Sequence, residues 1–177
     1  PYKGVEDLIE AWKRRLHPLP GAFLLIAGSP LDDTYAERVR QLADGRADIR
    51  LDLRRVPDND VHLYFSAADM VVLPFQRSLT SGSAILALSF QKPVIAPRLG
   101  PFEELLAGNG GLLYDPESPT ALRESLESST RSEAARLAEE AAAAVAAHDW
   151  QPIGRQTLTV YSRTGNPTSI SADVGAT

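Results

Sequence analysis

The chain has 177 residues, 44% of them hydrophobic, with 18 Lys and Arg against 23 Asp and Glu for a net charge of −5. That length fits one domain with its own core better than two, and the acidic balance speaks against a general nucleic-acid binder, which is usually basic. The absence of cysteine excludes disulfides and thiolate metal sites and accords with a reducing, cytoplasmic compartment, while no apolar run reaches the roughly 20 residues that span a bilayer and no signal peptide opens the sequence.

The opening "PYKGVEDLIEAW" lacks a starting Met and reads as the interior of a longer protein. Within it Val5, Leu8, Ile9, Trp12 and Leu16 recur at three- and four-residue steps, which predicts an amphipathic helix. Ala22–Gly28 ("AFLLIAG") is apolar nearly throughout, as a strand covered on both faces is. Asp33 or Thr34 can cap a helix carrying Tyr35, Val39 and Leu42, and Gly45 can end it. Ile49–Arg54 ("IRLDLR") alternates, apolar at 49, 51 and 53, and belongs nearer a sheet edge. A shorter helix with Val61, Tyr64 and Phe65 leads to a strand at Met70–Phe75 ("MVVLPF"). "SLTSGSAILALSF", Ser78–Phe90, then runs straight into an apolar helix. Pro93–Pro97 and Gly111–Asp115 are the fourth and fifth strands, with Glu103–Glu104 in a short helix between them.

Ser118 as cap and Pro119 as first residue open a helix that runs from Thr120 to about Ser129. The alanine-rich "RSEAARLAEEAAAAVAAHD" is strongly helix-prone, and Trp150 begins a last helical pattern with Ile153, Leu158 and Tyr161. Residues 164–177 have little apolar content and are expected to form a flexible tail. Strands alternating with helices over 1–163 predict an α/β domain with a parallel sheet of about five strands and helices on both faces.

In such a sheet, ligands bind beyond the carboxyl ends of the strands. The candidate positions are therefore Gly28-Ser29, Arg54-Arg55, Gln76 to Ser83, and Arg98 to Gly100. "LTSGS" is the most informative of these. N–H groups at the start of a helix, with the positive end of its dipole, favour an anion. Gly82 lets a ligand approach the backbone, Thr80, Ser81 and Ser83 add hydroxyls, and Lys3, Arg55, Arg77 and Arg98 can supply positive charge. A serine cap with no ligand explains the same spacing, and the Gly-Lys-Ser/Thr ending of a P-loop is absent. His17, His62 and His148 show no metal-ligand spacing. No Ser-His-Asp arrangement emerges, Glu103–Glu104 reads as a solvated helix start, and Trp12 and Trp150 sit at core-facing positions.

The order of motifs resembles the C-terminal, donor-binding domain of GT-B glycosyltransferases of the family 4 type. "PYKGVEDLIEAW" is similar to that family's "KG-x-x-x-L-I-x-A-W/F", and "FLLIAGSPLDDTY" to "L-x-I-A-G-x-G". "RRVPDNDVHLYFSAADMVVLPF" resembles "V-P-x-x-x-L-x-x-Y-x-x-A-D-x-x-V-L-P-S", and "ALSFQKPVIAP" resembles "A-M-A-x-G-x-P-V-I-A". "NGGLLYDPESPTAL" and "DWQPIGRQTLTVYSR" match the closing motifs. The likeness runs from Pro1 to about Arg163 and implies a Rossmann-like fold, one half of a GT-B architecture.

What the resemblance implies for function is a half-site for a UDP- or GDP-sugar, with no metal and no other cofactor. Lys3 and the loop of Arg77, Thr80, Ser81, Gly82 and Ser83 would hold the diphosphate. Gly28 and Ser29 would line the same edge, and Arg54, Arg55 and Val56 would lie against the nucleobase. The full-length protein would transfer a hexose to a glycan, lipid or other acceptor in polysaccharide or glycoconjugate synthesis, in the cytoplasm or peripherally at the inner membrane face. The isolated chain would be inactive. Two departures stand out. The family's Glu-x7-Glu pair falls on Ser78 and Leu86, neither acidic, so a degenerate, non-catalytic nucleotide-binding or interaction module is the alternative. The acceptor-binding domain and the family's central first strand are also missing, which implies a gap or an exposed inner edge in the sheet.

Overall fold

A computed structural model describes residues 3–17, 20–77, 82–106 and 110–147, the last six of these by backbone alone. The chain divides into two compact units, Pro1–Val145 and Ala146–Thr177. The helical pattern from Trp150 and the expected tail from 164 lie outside the described residues.

The first helix, α1 (Val5–Lys13), is entered through Gly4, whose φ of 64° is left-handed. A Cβ on Gly4 would stand 1.9 Å from the Pro74 carbonyl oxygen, so only glycine lets the chain turn this close to that segment. Leu8, Ile9 and Trp12 are buried as their spacing predicts. Leu16, expected on the same face, lies past the helix end and is 70% exposed. The prolines at 18 and 20 cannot continue the helix.

Then follow β1 (Leu24–Ala27), α2 (Asp33–Ala43), β2 (Ile49–Asp52), a 3-10 turn (Asp58–Asp60), α3 (Val61–Ala67) and β3 (Val71–Val72). The rest is α4 (Gly82–Ser89), β4 (Val94–Pro97), α5 (Gly100–Leu106), β5 (Gly111–Tyr114), α6 (Ala121–Ser128) and α7 (Arg131–Ala147). All five expected strands form, each shorter than its apolar run. The cap of α2 is Asp32, one residue earlier than expected, and its carboxylate accepts from the Tyr35 N–H at 2.7 Å. Gly45, with φ 70°, follows the end of that helix as anticipated. Ser118 and Pro119 fall outside α6 because Asp115 captures the chain first. Its carboxylate accepts from the Glu117 N–H and its carbonyl from the Ser118 N–H, a local turn that delays the helix to Ala121.

Every strand pair is parallel, in two sheets ordered β1-β2 and β3-β4-β5. Among the described residues nothing pairs β1 with β3, so the strands form two separate sheets where a single sheet of about five was expected. Both sheets nevertheless point the same way. The start of α1 sits on Pro74, beyond the carboxyl end of β3, while Trp12 and Arg15 near its other end reach Asp48, just before β2. A helix running from the end of one strand to the start of another puts both carboxyl ends on one edge.

The core lies on both faces of β3-β4-β5. β4 is buried at all four residues. Val94 and Ala96 join Ala84, Ala87 and Leu88 of α4, Phe102, Leu105 and Leu106 of α5, and Ala141 of α7. Ile95, on the opposite face by strand alternation, joins Leu8, Ile9, Trp12, Val39, Ala43 and Leu126 of α1, α2 and α6. The β1-β2 pair differs from expectation. Leu24 and Ile49 are buried in that second cluster, but Phe23 and Leu25 are 49% and 40% exposed, so β1 is covered on one face only.

Candidate functional site

The carboxyl edge gathers most of the expected positions. Lys3 is exposed, with its Nζ 6.0 Å from the centre of the Phe75 ring, at the exit from β3. The contact follows from Gly4: with that residue pressed on Pro74, Lys3 has to lie beside the residues that lead towards α4. Gln76 secures the same passage by donating to Asp7 of α1 at 2.9 Å. Arg77 is exposed, and Thr80 and Ser81 lie outside the described residues. Gly82 and Ser83 open α4. Among the described residues, and setting aside its chain neighbours and its own helix, no atom lies within 4 Å of where a Gly82 Cβ would stand.

The cations on this edge are unevenly compensated. Among the described residues Lys3, Arg55 and Arg77 carry no ion pair, whereas Arg98 is 3.6 Å from Glu103 and partly compensated. The Tyr114 phenol, at the carboxyl end of β5, is pushed up to about 12, first by burial and then by the Asp7 carboxylate, and stays neutral. Leu86, one of the two positions where a family carboxylate was sought, is 39% exposed on α4 beside Ile85 at 44%. An apolar side chain occupies that place.

Beyond β1, the Gly28 N–H donates to the Asp52 carbonyl at 3.0 Å, Gly28 takes φ 136°, and Ser29 is exposed. Beyond β2, Arg54 and Arg55 are exposed and Val56 is half-buried. Arg54 is held in a closed group that sequence reasoning missed. Its Nε forms an ion pair with Asp52 at 2.9 Å and its Nη2 donates to the Tyr64 hydroxyl at 3.2 Å, while that hydroxyl donates to Asp52. Residues 52 and 54 share one side of an extended chain, which is the signal that could have found the pair. Tyr64 comes from α3 and had been placed only as a helix-face residue.

Comparison with known proteins accords with this geometry. A 97-residue stretch is 34% identical to a GDP-mannose:glycolipid 4-beta-D-mannosyltransferase of Xanthomonas campestris, covering 55% of this chain and 27% of that protein. The fold matches the Anabaena protein HepE, solved with UDP and glucose, with a TM-score of 0.75 and 22% identity over 92% of this chain and 46% of that one. It matches a glycosyltransferase from Rickettsia africae with a TM-score of 0.77 and 18% identity, over 95% of this chain and 46% of that one. The chain thus spans less than half the length of each of these proteins. The family model described as glycosyl transferases group 1 matches residues 1–131, and the chain belongs to that family.

Proposed function

We propose that this chain is the donor-binding half of a glycosyltransferase, holding a UDP- or GDP-sugar while the sugar passes to a glycan, lipid or other acceptor in polysaccharide or glycoconjugate synthesis. One observation carries the reading: in a chain of this family, an exposed ammonium and the opening of a helix flank the same passage from β3 to α4. As the diphosphate departs, negative charge grows on its oxygens. N–H dipoles at Gly82 and Ser83 and the charge of Lys3 are fixed in place beforehand and stabilise that charge without reorganising. Thr80, Ser81 and Arg77 extend the cradle, Gly28 and Ser29 border it, and Arg54, Arg55 and Val56 take the base. The reading assigns neutralisation of the leaving group to these donors rather than to a metal.

The Xanthomonas relative and the nucleotide in the Anabaena structure support nucleotide-sugar as the ligand class. The acceptor and its binding surface belong to the remainder of a two-domain protein, in the cytoplasm or at the inner membrane face. Among the described residues no helix is long and apolar enough to cross a membrane. Leu86 favours a second reading, a module that binds nucleotide without transfer, because the carboxylate expected there is absent. Calorimetric titration with GDP and UDP tests both. Weak binding is expected, about −4 to −6 kcal/mol. Ser83→Asp should leave the fold intact, since an acid suits a first helical turn, and weaken either nucleotide by about tenfold or more through repulsion. A folded chain that gives no heat with either would sink the donor reading and leave an interaction module.

A further inference from the structure

Three consecutive residues on the way out of β3 each meet the start of α1. Pro74 lies against Gly4, the Phe75 ring centre lies 6.0 Å from the Lys3 ammonium, and the Gln76 amide donates to Asp7 at 2.9 Å. The last of these joins side chains 69 residues apart in sequence. Leu73, one residue before this passage, packs with Ala84, Ala87 and Leu88, so the passage and α4 share one core. Asp7 is an unexpected residue beside a seat for an anion. Among the described residues it carries no ion pair. Its charge reaches the carboxyl edge, where it comes second to burial in raising the Tyr114 phenol. Helix polarity accounts for an acid in the first turn of α1, but Glu6 already supplies one.

We propose that Asp7 is a positioning residue for the diphosphate, acting through the Gln76 amide to lock the turn that carries Lys3 onto the exit from β3. This rests on the donor-binding reading and deepens it, adding a residue that itself touches no ligand. With α1 tied at Gln76 and β3 anchored beside α4 through Leu73, the ammonium is held at a set place relative to the Gly82 and Ser83 amides. A cation fixed beforehand loses little freedom when the ligand arrives. Two effects of Asp7 then oppose each other. Its charge repels a diphosphate, and its hydrogen bond prepares the cation that attracts one. Removing the side chain separates them by sign: loss of repulsion tightens binding, and loss of the tie weakens it.

The test titrates GDP and inorganic pyrophosphate into the unaltered chain, Asp7→Ala, Asp7→Asn, Gln76→Ala and the variant combining Asp7→Ala with Gln76→Ala, each checked for folding by thermal melt. Asp7→Ala removes both charge and acceptor; Asp7→Asn removes the charge and keeps an oxygen for the Gln76 amide. The expected result is a loss of about threefold for both ligands in Asp7→Ala and in Gln76→Ala, with no further loss in the double variant. Asp7→Asn should recover the parental affinity or exceed it. Asp7→Ala binding at least as tightly as the parent, Asp7→Asn falling with Asp7→Ala, or losses that add in the double variant each overturn this inference and leave the donor reading standing. An unaltered chain that binds neither ligand overturns the donor reading and this inference with it.

Discussion

Gly4 shows how a single residue places a neighbouring side chain. The left-handed turn at Gly4 and the Pro74 carbonyl against it leave no room for a side chain, and that contact is what sets Lys3 beside Phe75. Gly4→Ala meets both the clash and the left-handed penalty, the latter alone about 1–2 kcal/mol. We expect a lower melting temperature and weaker diphosphate binding together; a variant that melts and binds like the parent would separate Lys3 from the turn. Asp48 illustrates a charge that serves the fold instead. Hydrogen bonds from Arg46, 2.8 Å to each oxygen, and from Trp12 hold its carboxyl well below the usual range despite partial burial. Its folded-state pKa lies below the unfolded value of about 3.9, so its contribution is fully present above that pH and drains away as the pH falls below about 4. Asp48→Asn should flatten that acid limb of the stability curve and cost about 2 kcal/mol at neutral pH, leaving the side chain of Arg15 buried without its carboxylate.

At the scale of elements, periodicity told most of the story, and its failures have local causes. Apolar runs announced all five strands and three- to four-residue spacing announced α1 and α2, because burial of one face is written directly into the order of side chains. Boundaries slipped where a polar side chain intercepted the backbone, as Asp32 does at α2 and Asp115 ahead of α6. Coverage of β1 was misjudged because a run such as "AFLLIAG" looks the same whether or not anything lies over Phe23 and Leu25. The Asp52–Arg54–Tyr64 group was hidden for another reason: it joins a strand to a helix through a phenol whose spacing speaks only of helix. Hydrogen exchange tests the interruption of the sheet. In β1, Leu24 and Gly28 donate towards β2, to Asp48 and Asp52, so by strand alternation the Leu25 and Ala27 amides face away from it. Those two should exchange orders of magnitude faster than the amides of β4, which is paired on both sides. Equal protection would mean another element covers that edge.

For the molecule as a whole, the decisive relation is between parts far apart in sequence. α1 runs from the carboxyl end of β3 to the amino end of β2, so it aligns two sheets whose strands do not pair with each other among the described residues, and it brings the loops after β1, β2 and β3 to one edge. Placement of Gly28, Ser29, Arg54, Arg55, Arg77, Gly82 and Ser83 on that edge followed from strand order, whereas Lys3, which follows no strand, came from the family resemblance. The most direct measurement is amide chemical-shift mapping of the isotopically labelled chain during titration with GDP. The largest shifts are predicted at Gly82 and Ser83, with Lys3 moving alongside and the effect abolished in Ser83→Asp. Shifts confined to other surfaces, or none at all while the chain remains folded, would contradict a diphosphate seat at the opening of α4.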